Sequence, residues 1–412
     1  MKILNFGSCN IDYVYSLDHI VEVGETETTY GHNTFPGGKG LNQSVAAAKA
    51  GATVYHAGCV GYDGKLLTNV LSENGVDISL LKTIDQKTGH AIIQVSAKGE
   101  NSIFLYPGSN EMVEKEYIDQ VLEHFGEGDV VLLQNEISNV DYIVEKAYQK
   151  RMCIILNPSP FNEKIGKIDF QKLSYILINE VEAKGISGFD LPEESLAYIK
   201  KNYPNLKVLL TLGRQGCIYM DQAVELHQPA FEVEAVDTTA AGDTFTGYFI
   251  AELSRGTDCA EILKIASAAS AIAVTRHGAA PSIPLREEVL SALGSFKLRK
   301  SDNQFQVLAT KIERYLENHI KDANLNELAK ILDYSVVYTG TLVNQVMGKS
   351  FAKVLQEKRC AYAAQKLLNT ELSIEQIIAD VGYENGSFFR KIFKEKYGKN
   401  LLEYRKNGGP AT

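Results

Sequence analysis

Short apolar runs alternate with amphipathic helical patterns over about the first 290 residues of this 412-residue chain. The intervening stretches, such as residues 42–50 and 140–151, repeat apolar positions at helical spacing. This rhythm predicts an α/β domain, with a mostly parallel sheet and helices on both faces. The predicted strands are K-I-L-N-F-G (2–7), T-V-Y-H-A-G-C-V (53–60), D-V-V-L-L-Q (129–134), C-I-I-L-N (153–157), Y-I-L-I-N (175–179) and K-V-L-L-T-L (207–212).

Two stretches break this rhythm by alternating apolar and polar residues. They are residues 11–34 and 90–106, the second of which contains A-I-I-Q-V and S-I-F-L-Y. Alternation with a period of two is typical of half-buried strands. We therefore expect a separate small β-sheet, which lies as a lid over the site.

Beyond residue 300 the pattern is helical. Two capping-box-like starts, Asn324-x-x-Glu327 and Ser373-x-x-Gln376, each precede a short apolar helix, a tight turn and a second helix. Between these units, residues 351–369 form one longer amphipathic segment. The order predicts helix-turn-helix, connecting helix, helix-turn-helix.

The buried face of the connecting helix follows from the same spacing. Cys360, Ala364, Leu367 and Leu368 stand at i, i+4, i+7 and i+8, so we expect all four on one apolar face.

Charge divides the chain at the same place. Residues 296–412 carry 19 Lys and Arg against 13 Asp and Glu, a net charge of +6, and the rest of the chain has a net charge of −15. An acidic body with a basic tail argues against one domain with one partner. The basic tail is explained either by chance surface charge or by a nucleic-acid partner. We expect a first domain at 1–295, a linker at 296–304 and a second domain at 305–412.

Composition limits the cellular setting. The chain is 45% hydrophobic and 23% charged, and no apolar run approaches the length of a membrane span, so we expect no membrane partner. The N-terminus lacks the long apolar region of a signal peptide. The six cysteines are scattered and form no C-x-x-C pair, which argues against a disulfide framework or zinc cluster. A cytoplasmic location is the resulting expectation.

The segment V-D-T-T-A-A-G-D-T-F-T-G (236–247) carries the candidate chemistry. It places Asp243 behind two alanines and Gly242, at the start of an apolar helical run. Small residues and the unpaired N–H groups of a helix start make a pocket for an anion such as a phosphoryl group. An ionised Asp243 at that point can accept a proton from an attacking hydroxyl. On these residues alone, an ordinary Asp N-cap is the favoured interpretation of the segment.

Companion motifs decide between these interpretations. Their order and spacing closely resemble the ribokinases of the PfkB carbohydrate kinase family, from residue 1 to about 293. The motifs are G-S-C-N-I-D (7–12), F-P-G-G-K-G-L-N (35–42), L-L-Q-N-E (132–136), I-N-E-V-E (178–182), T-L-G-R-Q-G (211–216) and A-I-A-V-T-R-H-G-A-A-P-S-I-P (271–284).

This resemblance implies an ATP-dependent kinase that phosphorylates the primary hydroxyl of a sugar. Asp243 would be the general base, and Ala241 and Gly242 would offer N–H groups to the transferred phosphoryl group. The residues that would hold the sugar are Asn10, Asp12, Gly38, Lys39, Asn42, Glu136 and Asp243. Lys39 has an alternative interpretation as a solvated side chain.

The resemblance also implies ATP, Mg²⁺ and K⁺ sites. The nucleotide side would be formed by Asn179, Thr211, Gly213, Gly216, Gly242 and Ser267. Asn179 and Glu182 would organise Mg²⁺ and its waters, with strand-end capping as the alternative. The monovalent cation would be bound by Asp237, Thr239, Ala273, Arg276, Gly278 and Ser282, mostly through backbone oxygens. We expect Asp237 to be buried, since a buried carboxylate favours a bound cation.

Two positions depart from the family pattern. Ser267 stands where ribokinases often have a larger polar residue near the adenine, which predicts weaker nucleotide binding. Leu41 replaces the usual alanine of G-G-K-G-x-N, which predicts altered loop packing. Neither change removes a group that the chemistry needs.

The second domain resembles the DNA-binding domain of AraC-type transcription regulators over residues 305–406. The landmarks are L-A-K-I-L-D-Y-S-V-V-Y, G-K-S-F, Arg359 with A-A-Q-K-L-L, S-I-E-Q-I-I-A-D-V-G-Y and F-F-R-K-I-F-K-E-K-Y-G. The resemblance implies an all-α domain in which two helix-turn-helix units enter neighbouring major grooves of double-stranded DNA.

The two units differ in charge. The first recognition helix, expected at 335–347, lacks the basic residues that are frequent in the family, and its Gly340 costs about 1 kcal/mol relative to alanine. We expect the second unit to supply most of the attraction to phosphates. The DNA-binding residues predicted in this way are Thr341, Asn344 and Gln345 in the first unit, and Ser387, Arg390, Lys391 and Lys394 in the second.

The leading hypothesis is a ribokinase-like enzyme joined to an AraC-type regulator of sugar-use genes. Ribose is the favoured substrate, and another pentose, a ketose or a nucleoside are alternatives. A sensor that binds sugar or nucleotide without turnover is the non-enzyme alternative, and a tail that binds another protein is a third. A homodimer formed through the lid sheet is an additional expectation.

Overall fold

The chain forms two compact units, Met1–Lys300 and Ser301–Thr412. The structure, a computed structural model, describes residues 1–298, 303–332, 334, 336–383 and 386–407, without the side chains of 303–307, 337, 338, 341, 345 and 407. Within the described residues, no helix is both long and apolar enough to cross a membrane.

The first unit is built on a mostly parallel sheet. In chain order the strands are β1 (Ile3–Phe6), β2 (Asn10–Leu17), β3 (Gly31–Gly37), β4 (Val54–Val60), β5 (Leu81–Thr83), β6 (Gly89–Ser96), β7 (Asn101–Tyr106), β8 (Val130–Gln134), β9 (Cys153–Asn157), β10 (Tyr175–Asn179), β11 (Lys207–Thr211), β12 (Cys217–Met220) and β13 (Glu225–Gln228). The helices are α1 (Lys39–Lys49), α2 (Lys65–Glu73), α3 (Lys115–Leu122), α4 (Val140–Gln149), α5 (Glu180–Ser187), α6 (Pro192–Asn202), α7 (Ala241–Ser254), α8 (Cys259–Ala273) and α9 (Arg286–Ala292).

The large sheet confirms the predicted strand rhythm. Its order is β13-β12-β11-β10-β9-β8-β1-β4-β5. All six predicted apolar runs are strands of this sheet. Neighbouring strands pair in parallel from β11 through to β5 in the sheet order. β12 and β13 add an antiparallel edge that the apolar pattern did not predict.

Successive side chains along each strand point to opposite faces of the sheet and pack in two apolar cores, one on each face. In β1, Ile3 packs in the core that contains α1, α7 and α8, whereas Leu4 and Phe6 pack in the core that contains α3 and α4. The period of two therefore places Asn5 on the α1 side, among residues that belong to the candidate site.

A second, smaller sheet is formed by the two alternating stretches. Its order is β3-β2-β6-β7, with β2 and β6 parallel and the other pairs antiparallel. The predicted separate small sheet is thus confirmed. Because β2 and β3 lead directly into the G-G-K-G loop before α1, this sheet positions the residues at the entrance of that loop.

Residues at the start of the expected linker pack against the first unit. Phe296 lies with its ring 5.0 Å from that of Phe231, and Glu232 donates its N–H to the carbonyl oxygen of Lys297 at 2.9 Å. Leu298 forms an isolated antiparallel bridge with Phe231. The chain therefore remains attached to the first unit through residue 298.

The second unit is all helical in its described part, as predicted. Its helices are α10 (Asn303–Asn318), α11 (Leu325–Leu332), α12 (Val336–Met347), α13 (Phe351–Asn369), α14 (Ile374–Asp380), α15 (Gly386–Tyr397) and α16 (Leu401–Asn407). The pairs α11–α12 and α14–α15 form the two helix-turn-helix units, joined by α13. Val354 and Leu355 of α13 pack in the core of the first helix-turn-helix unit, and Cys360 and Leu367 pack in the core of the second helix-turn-helix unit.

The helix starts and the buried face of α13 can be compared with the predictions. Ser373 and Gln376 form a complete capping box. The Asn324 side chain accepts the N–H of Glu327 at 3.0 Å, and the N–H of Asn324 donates to the hydroxyl oxygen of Tyr315 at 3.0 Å. The expectation for α13 is wrong at one position. Leu368 is 47% exposed, because the buried stripe passes through Ala363 instead.

Arg359 joins the two helix-turn-helix units. Its guanidinium donates to the carbonyl oxygens of Ile320 at 2.9 Å and Lys321 at 2.7 Å, and lies 5.1 Å from the centre of the Tyr383 ring. The first two contacts are on the segment after α10 and the third is in the turn before α15. This side chain therefore fixes the spacing of the two units.

Candidate functional site

The start of α7 carries Asp243. The residue before the helix, Ala240, has a φ of 58°, a left-handed conformation that costs a non-glycine residue about 1–2 kcal/mol. No side chain caps this helix start. The N–H of Ala241 donates to the carbonyl oxygen of Thr238 over 3.3 Å, which leaves Gly242 as the better placed of the two predicted anion-hole donors.

The carboxylate of Asp243 is buried and held by amides on both oxygens. Asn42 donates to Oδ2 at 3.1 Å, and Gln43 donates to Oδ1 at 2.9 Å. Both donors lie on α1, which packs against α7. The carboxylate is therefore fixed by neighbouring side chains and does not act as the N-cap of its own helix.

Lys39 belongs to the site and is not simply solvated. Its Nζ lies 4.0 Å from Oδ1 of Asp243, and its side chain is 31% exposed. The negative charge of Asp243 above all, with smaller contributions from Glu136 and Glu182, raises the pKa of Lys39. The ammonium thus offers a fixed positive charge beside the Asp243 carboxylate.

Two carboxyl groups lie on the sugar side predicted from the sequence. Glu136 follows β8 and accepts hydrogen bonds from the Ser8 hydroxyl and from the N–H of Lys39 at 3.0 Å. Asp12 lies in β2. Burial, and then the charge of Glu136, raises the pKa of Asp12 to about 7. Burial also raises the pKa of Glu136.

Glycines make room between these groups. Gly38 has a φ of 95°, and a Cβ there would lie 3.0 Å from the N atom of Asn10. At Gly37 a Cβ would come within 2.1 Å of Oδ2 of Asp12. The loop before α1 therefore approaches β2 more closely than residues with side chains would allow.

Asn110 is a site residue that the sequence analysis missed. It is buried, donates to Oδ1 of Asn10 at 2.7 Å and accepts the N–H of Cys9 at 3.0 Å. It holds the predicted sugar ligand Asn10 in one orientation. Nothing in the motif G-S-C-N-I-D points to this partner, since the two residues are 100 positions apart.

A cleft of about 260 Å³ lies on the nucleotide side of α7. A Cβ added at Gly242 would meet nothing within 4 Å, so this position faces open space. Five predicted residues line the cleft together with Arg214, Phe231, Val233 and Ser270, which were not predicted. The five are Thr211, Gly213, Gly216, Gly242 and Ser267.

Asn179 and Glu182 use their side chains to cap α5. The Asn179 side chain accepts the N–H of Glu182 at 2.9 Å, and the Glu182 carboxylate accepts the N–H of Asn179 at 3.0 Å. The capping alternative is therefore realised in the structure. Both residues also line the same small cleft as Asp243 and Lys39, so the Glu182 carboxylate adds negative charge there.

The predicted cation loop brings its two segments together. Asp237 accepts the N–H of Thr239 and, from the second segment, the N–H of Gly278, both at 2.9 Å. Burial alone would raise the pKa of Asp237, but these hydrogen bonds lower it below its ordinary value.

The expectation that Asp237 is buried is wrong. The residue is half-buried, because the loop runs along the surface and backbone N–H groups, not a closed core, surround the carboxylate. Arg276 turns its side chain to Glu288, and the Ser282 hydroxyl donates to the carbonyl oxygen of Ala279. Thr239 and Ala273 complete the two segments. Backbone N–H groups thus engage both oxygens of the Asp237 carboxylate, and the monovalent cation at this loop stays a prediction.

The basic helix α15 presents its predicted DNA-binding residues to solvent. Ser387, Arg390, Lys391 and Lys394 are exposed, opposite the buried Phe389 and Phe393. Arg390 forms an ion pair with Glu375 of α14 at 2.9 Å. The guanidinium is thus held over the first helix of this unit.

The first recognition helix, α12, contains no charged residue. Asn344 is exposed on it, and the predicted side chains of Thr341 and Gln345 lie outside the described residues. A Cβ at Gly340 would meet one atom, in the side chain of Leu325, at 3.5 Å.

Three amide side chains were also missed: Gln43, which contacts Asp243, and Gln134 and Asn157, which contact Gln43. Gln43, Gln134 and Asn157 stand next to, or at the ends of, predicted elements, but a motif analysis ranks charged residues first. The usable signal is their position: Gln134 and Asn157 end neighbouring parallel strands, where binding residues collect.

Comparisons with known proteins agree with this geometry. A family model described as pfkB family carbohydrate kinase matches residues 1–286, and one described as a helix-turn-helix domain matches residues 328–407. The chain is 36% identical to the ribokinase of Bacillus subtilis over 287 residues, which are 69% of this chain and 96% of that protein.

Two solved structures extend the comparison. The ribokinase of Thermotoga maritima matches with a TM-score of 0.64 and 35% identity, over 71% of this chain and 99% of that one. The Arabidopsis thaliana ribokinase complexed with ribose and ATP matches with a TM-score of 0.63 and 28% identity, over 71% of this chain and 98% of that one.

Proposed function

Because the chain belongs to the PfkB carbohydrate kinase family and carries a helix-turn-helix domain of AraC type, we propose that it phosphorylates D-ribose to ribose 5-phosphate and regulates the transcription of sugar-use genes. The observation that carries the kinase assignment is the buried Asp243 carboxylate, which two amides hold at the start of α7 beside open space at Gly242. A sensor that only binds sugar does not need a base fixed in this way.

Asp243 is proposed as the general base. It accepts the proton of the sugar's primary hydroxyl as that oxygen bonds to the γ-phosphorus and the bond to the ADP oxygen breaks. Asn42 and Gln43 fix the carboxylate before the reaction, so that little reorganisation is needed. Lys39 and the N–H groups of Ala241 and Gly242 face the negative charge that spreads over the transferred group.

The sugar is held by groups that match a polyol. Asn10 and Asn42 offer amides, Asp12 and Glu136 offer carboxylates, and Gly38 keeps the backbone close. The Oδ1 of Asn42 is buried without a hydrogen-bond partner among the described residues, so a hydroxyl donor there would satisfy it. Ribose is favoured because the relatives with this site are ribokinases.

The nucleotide and ions are assigned to neighbouring groups. ATP supplies the phosphoryl group, and Thr211, Gly213, Gly216, Gly242 and Ser267 would line its site, with Asn179 at the phosphates. The carboxylate of Glu182 would attract Mg²⁺ and its waters. K⁺ would lie at Asp237, Thr239, Ala273, Arg276, Gly278 and Ser282, where it lowers the negative charge next to the anion pocket.

The second domain would bind double-stranded DNA. Ser387, Arg390, Lys391 and Lys394 would contact phosphates and bases in one groove, and Thr341, Asn344 and Gln345 would read bases in the next. The exposed basic face of α15 supports phosphate binding, and Arg359 supports two units at a fixed spacing. The sugar or its phosphate would change the affinity of this domain for DNA. The protein would act in the cytoplasm.

A homodimer through the lid sheet is also proposed. In the edge strand β7, Ile103, Phe104, Leu105 and Tyr106 are each exposed by 46% or more. An exposed apolar edge strand is a liability unless something covers it. A second copy of the chain would pair along it, and the mass measured by light scattering at increasing protein concentration tests this.

The substrate is tested with a panel of sugars. The full chain would be given ATP, Mg²⁺ and K⁺ with ribose, other pentoses, fructose or adenosine, and kcat/KM measured for each. Ribose should give the highest value. A higher kcat/KM for fructose or adenosine would support the kinase activity but show that ribose is not the preferred substrate. DNA binding measured with and without the preferred substrate then tests the proposed regulation.

A further inference from the structure

A chain of buried amides runs from the sheet to Asp243. Gln43 is fully buried in α1, and its Nε2 donates to Oδ1 of Asp243 at 2.9 Å and to Oδ1 of Asn157 at 3.1 Å. Both N–H bonds of this amide are therefore used. Asn157 ends β9 and is itself fixed by donating to the carbonyl oxygen of Leu177 at 2.9 Å.

The other end of the Gln43 amide is held as well. Its Oε1 accepts a hydrogen bond from Nε2 of Gln134 at 2.8 Å, and the same nitrogen donates to Oδ1 of Asn5 at 3.0 Å. Asn5 in turn donates to the carbonyl oxygen of Gly40 and to Oγ of Ser44, each at 2.8 Å. These contacts tie α1 to the ends of β1 and β8.

The hydrogen bonds of this network allow only one orientation of the Gln43 amide. Gln134 can donate to Gln43 only if Oε1 of Gln43 faces Gln134, and Gln43 then presents its N–H groups to Asp243 and Asn157. A flipped Gln43 amide would place oxygen against two other oxygens and lose three hydrogen bonds. The strand ends therefore determine which group faces the Asp243 carboxylate.

Such a network is costly unless it has a use. Each buried amide must be satisfied to offset its loss of hydration, and an apolar side chain would fill this space without that requirement. Without Gln43, Oδ1 of Asp243 would keep the Lys39 ammonium at 4.0 Å as its described neighbour. The carboxylate could then turn toward Lys39.

We infer that Gln43 is a positioning residue for phosphoryl transfer: its amide, oriented by Gln134 and Asn157, holds the Asp243 carboxylate in the orientation that accepts the hydroxyl proton. This inference rests on the proposed role of Asp243 as the base. Asn42 restrains the second oxygen, so the two adjacent residues of α1 fix both oxygens of one carboxylate.

The first test replaces Gln43 by methionine, which has similar length and no N–H donor. In the full chain, Gln43→Met should lower kcat by about 10- to 100-fold, because a misoriented base costs rate, and should leave the KM values for ribose and ATP within about 3-fold. Ser195→Ala is the matched control: it removes a buried polar group distant from the site and should leave kcat unchanged.

The second test shows whether the effect passes through the network. Gln134→Met removes the group that orients Gln43 without touching Asp243, and should lower kcat by about 3- to 10-fold. The double variant should be no slower than Gln43→Met alone, because coupled residues are not additive. Independent, multiplied losses would overturn the inference.

The third test is a pH profile, which shows whether the side chain at position 43 faces the carboxyl group that limits kcat at acid pH. Gln43→Glu keeps the shape but places a carboxyl group against Asp243, so the acid limb of kcat should shift to higher pH. The titratable groups around Asp243 are Lys39 of α1, Glu136 after β8 and Glu182 of α5, and none of them is altered. An unchanged acid limb would contradict the inference.

A parallel Asp243→Asn variant separates the two possible failures. If Asp243→Asn is inactive while Gln43→Met keeps its full kcat, the positioning role is wrong and the base stands. If Asp243→Asn keeps its turnover, the proposed base itself is wrong.

Discussion

The two units of this protein use polar side chains in opposite ways. Around Asp243, the kinase unit buries Asn42, Gln43 and Gln134 in hydrogen bonds between α1, α7 and the sheet. The core between α13 and α15 is instead lined by apolar and aromatic residues, and the charges of α15 lie in solvent.

This difference fits the two tasks proposed for the units. Proton transfer needs a carboxylate fixed within a fraction of an ångström, and a buried amide network supplies that rigidity. Attraction to DNA phosphates acts over several ångströms, so exposed flexible Lys and Arg side chains suffice. Single substitutions should therefore have sharp effects in the first unit and graded effects in the second.

The largest effect is expected at Asp243. Asp243→Asn keeps the size of the side chain and removes the base, so kcat should fall by about 100- to 10,000-fold. Sugar binding, measured by the shift in Tm on adding ribose, should remain. Asp190→Asn, an exposed residue of the same unit, is the control and should keep full activity. Unchanged turnover in Asp243→Asn would contradict the proposed base and the expectation that single substitutions in the first unit have large effects.

The next effect concerns the basic helix. The double variant Arg390→Ala, Lys394→Ala should weaken binding to all DNA sequences alike and reduce the slope of log K against log salt by about 2. Fluorescence anisotropy at several salt concentrations measures both quantities.

Its control removes two positive charges from the kinase unit, at Lys201 and Lys264. That variant should bind DNA as the natural chain does. Equal losses in the two double variants would mean that total charge, and not the face of α15, attracts DNA.

A smaller effect separates activity from stability at Gly242. Gly242→Ala should lower kcat roughly 10-fold, because a methyl group would enter the space where the phosphoryl group is proposed to lie. Its Tm should not fall, since a Cβ there meets nothing within 4 Å and alanine favours helices. Gly166→Ala, where a Cβ also meets nothing, is the control. A lower Tm with unchanged kcat would show that Gly242 serves stability and not activity.

The smallest effect is a pH dependence of sugar binding. Burial raises the pKa of Asp12 to about 7, with a further contribution from Glu136. Below pH 7 this carboxyl is mostly protonated, and above it the ionised form can accept hydrogen bonds from two hydroxyls. The KM for ribose should therefore fall a few-fold between pH 6 and 8. Asp12→Asn should flatten this profile; a profile that persists in Asp12→Asn would assign it to another group.

Periodic patterns predicted the fold well because burial imposes them. All six apolar runs became neighbouring strands, and the alternating stretches became the lid sheet. Strands β12 and β13 were not predicted, since each has only four residues. β12 is wholly buried, and only β13, at the edge of the sheet, alternates exposed and half-buried residues. Leu368 was assigned to the wrong side because helical spacing alone does not show how wide the buried stripe of α13 is.

The motifs named the charged residues of the candidate site and its amides Asn10 and Asn42. They did not point to the amides that orient these groups. Asp243, Lys39 and Glu136 stand in motifs and come together in the structure. Gln43 contacts Asp243, whereas Gln134 contacts Gln43 and Asn110 contacts Asn10. An amide has no sequence pattern that distinguishes positioning from packing. Asp237 was expected to be buried because its motif says nothing of how the loop lies on the surface.

The most direct test of an active kinase is the rate of ADP release by the full chain with ATP, Mg²⁺ and K⁺, measured with and without ribose. Saturable release that depends on ribose, with ribose 5-phosphate as the product, is the expected result. No release with ribose or any other sugar of the panel, while a sugar still raises Tm, would contradict the account and leave a sensor with a kinase fold.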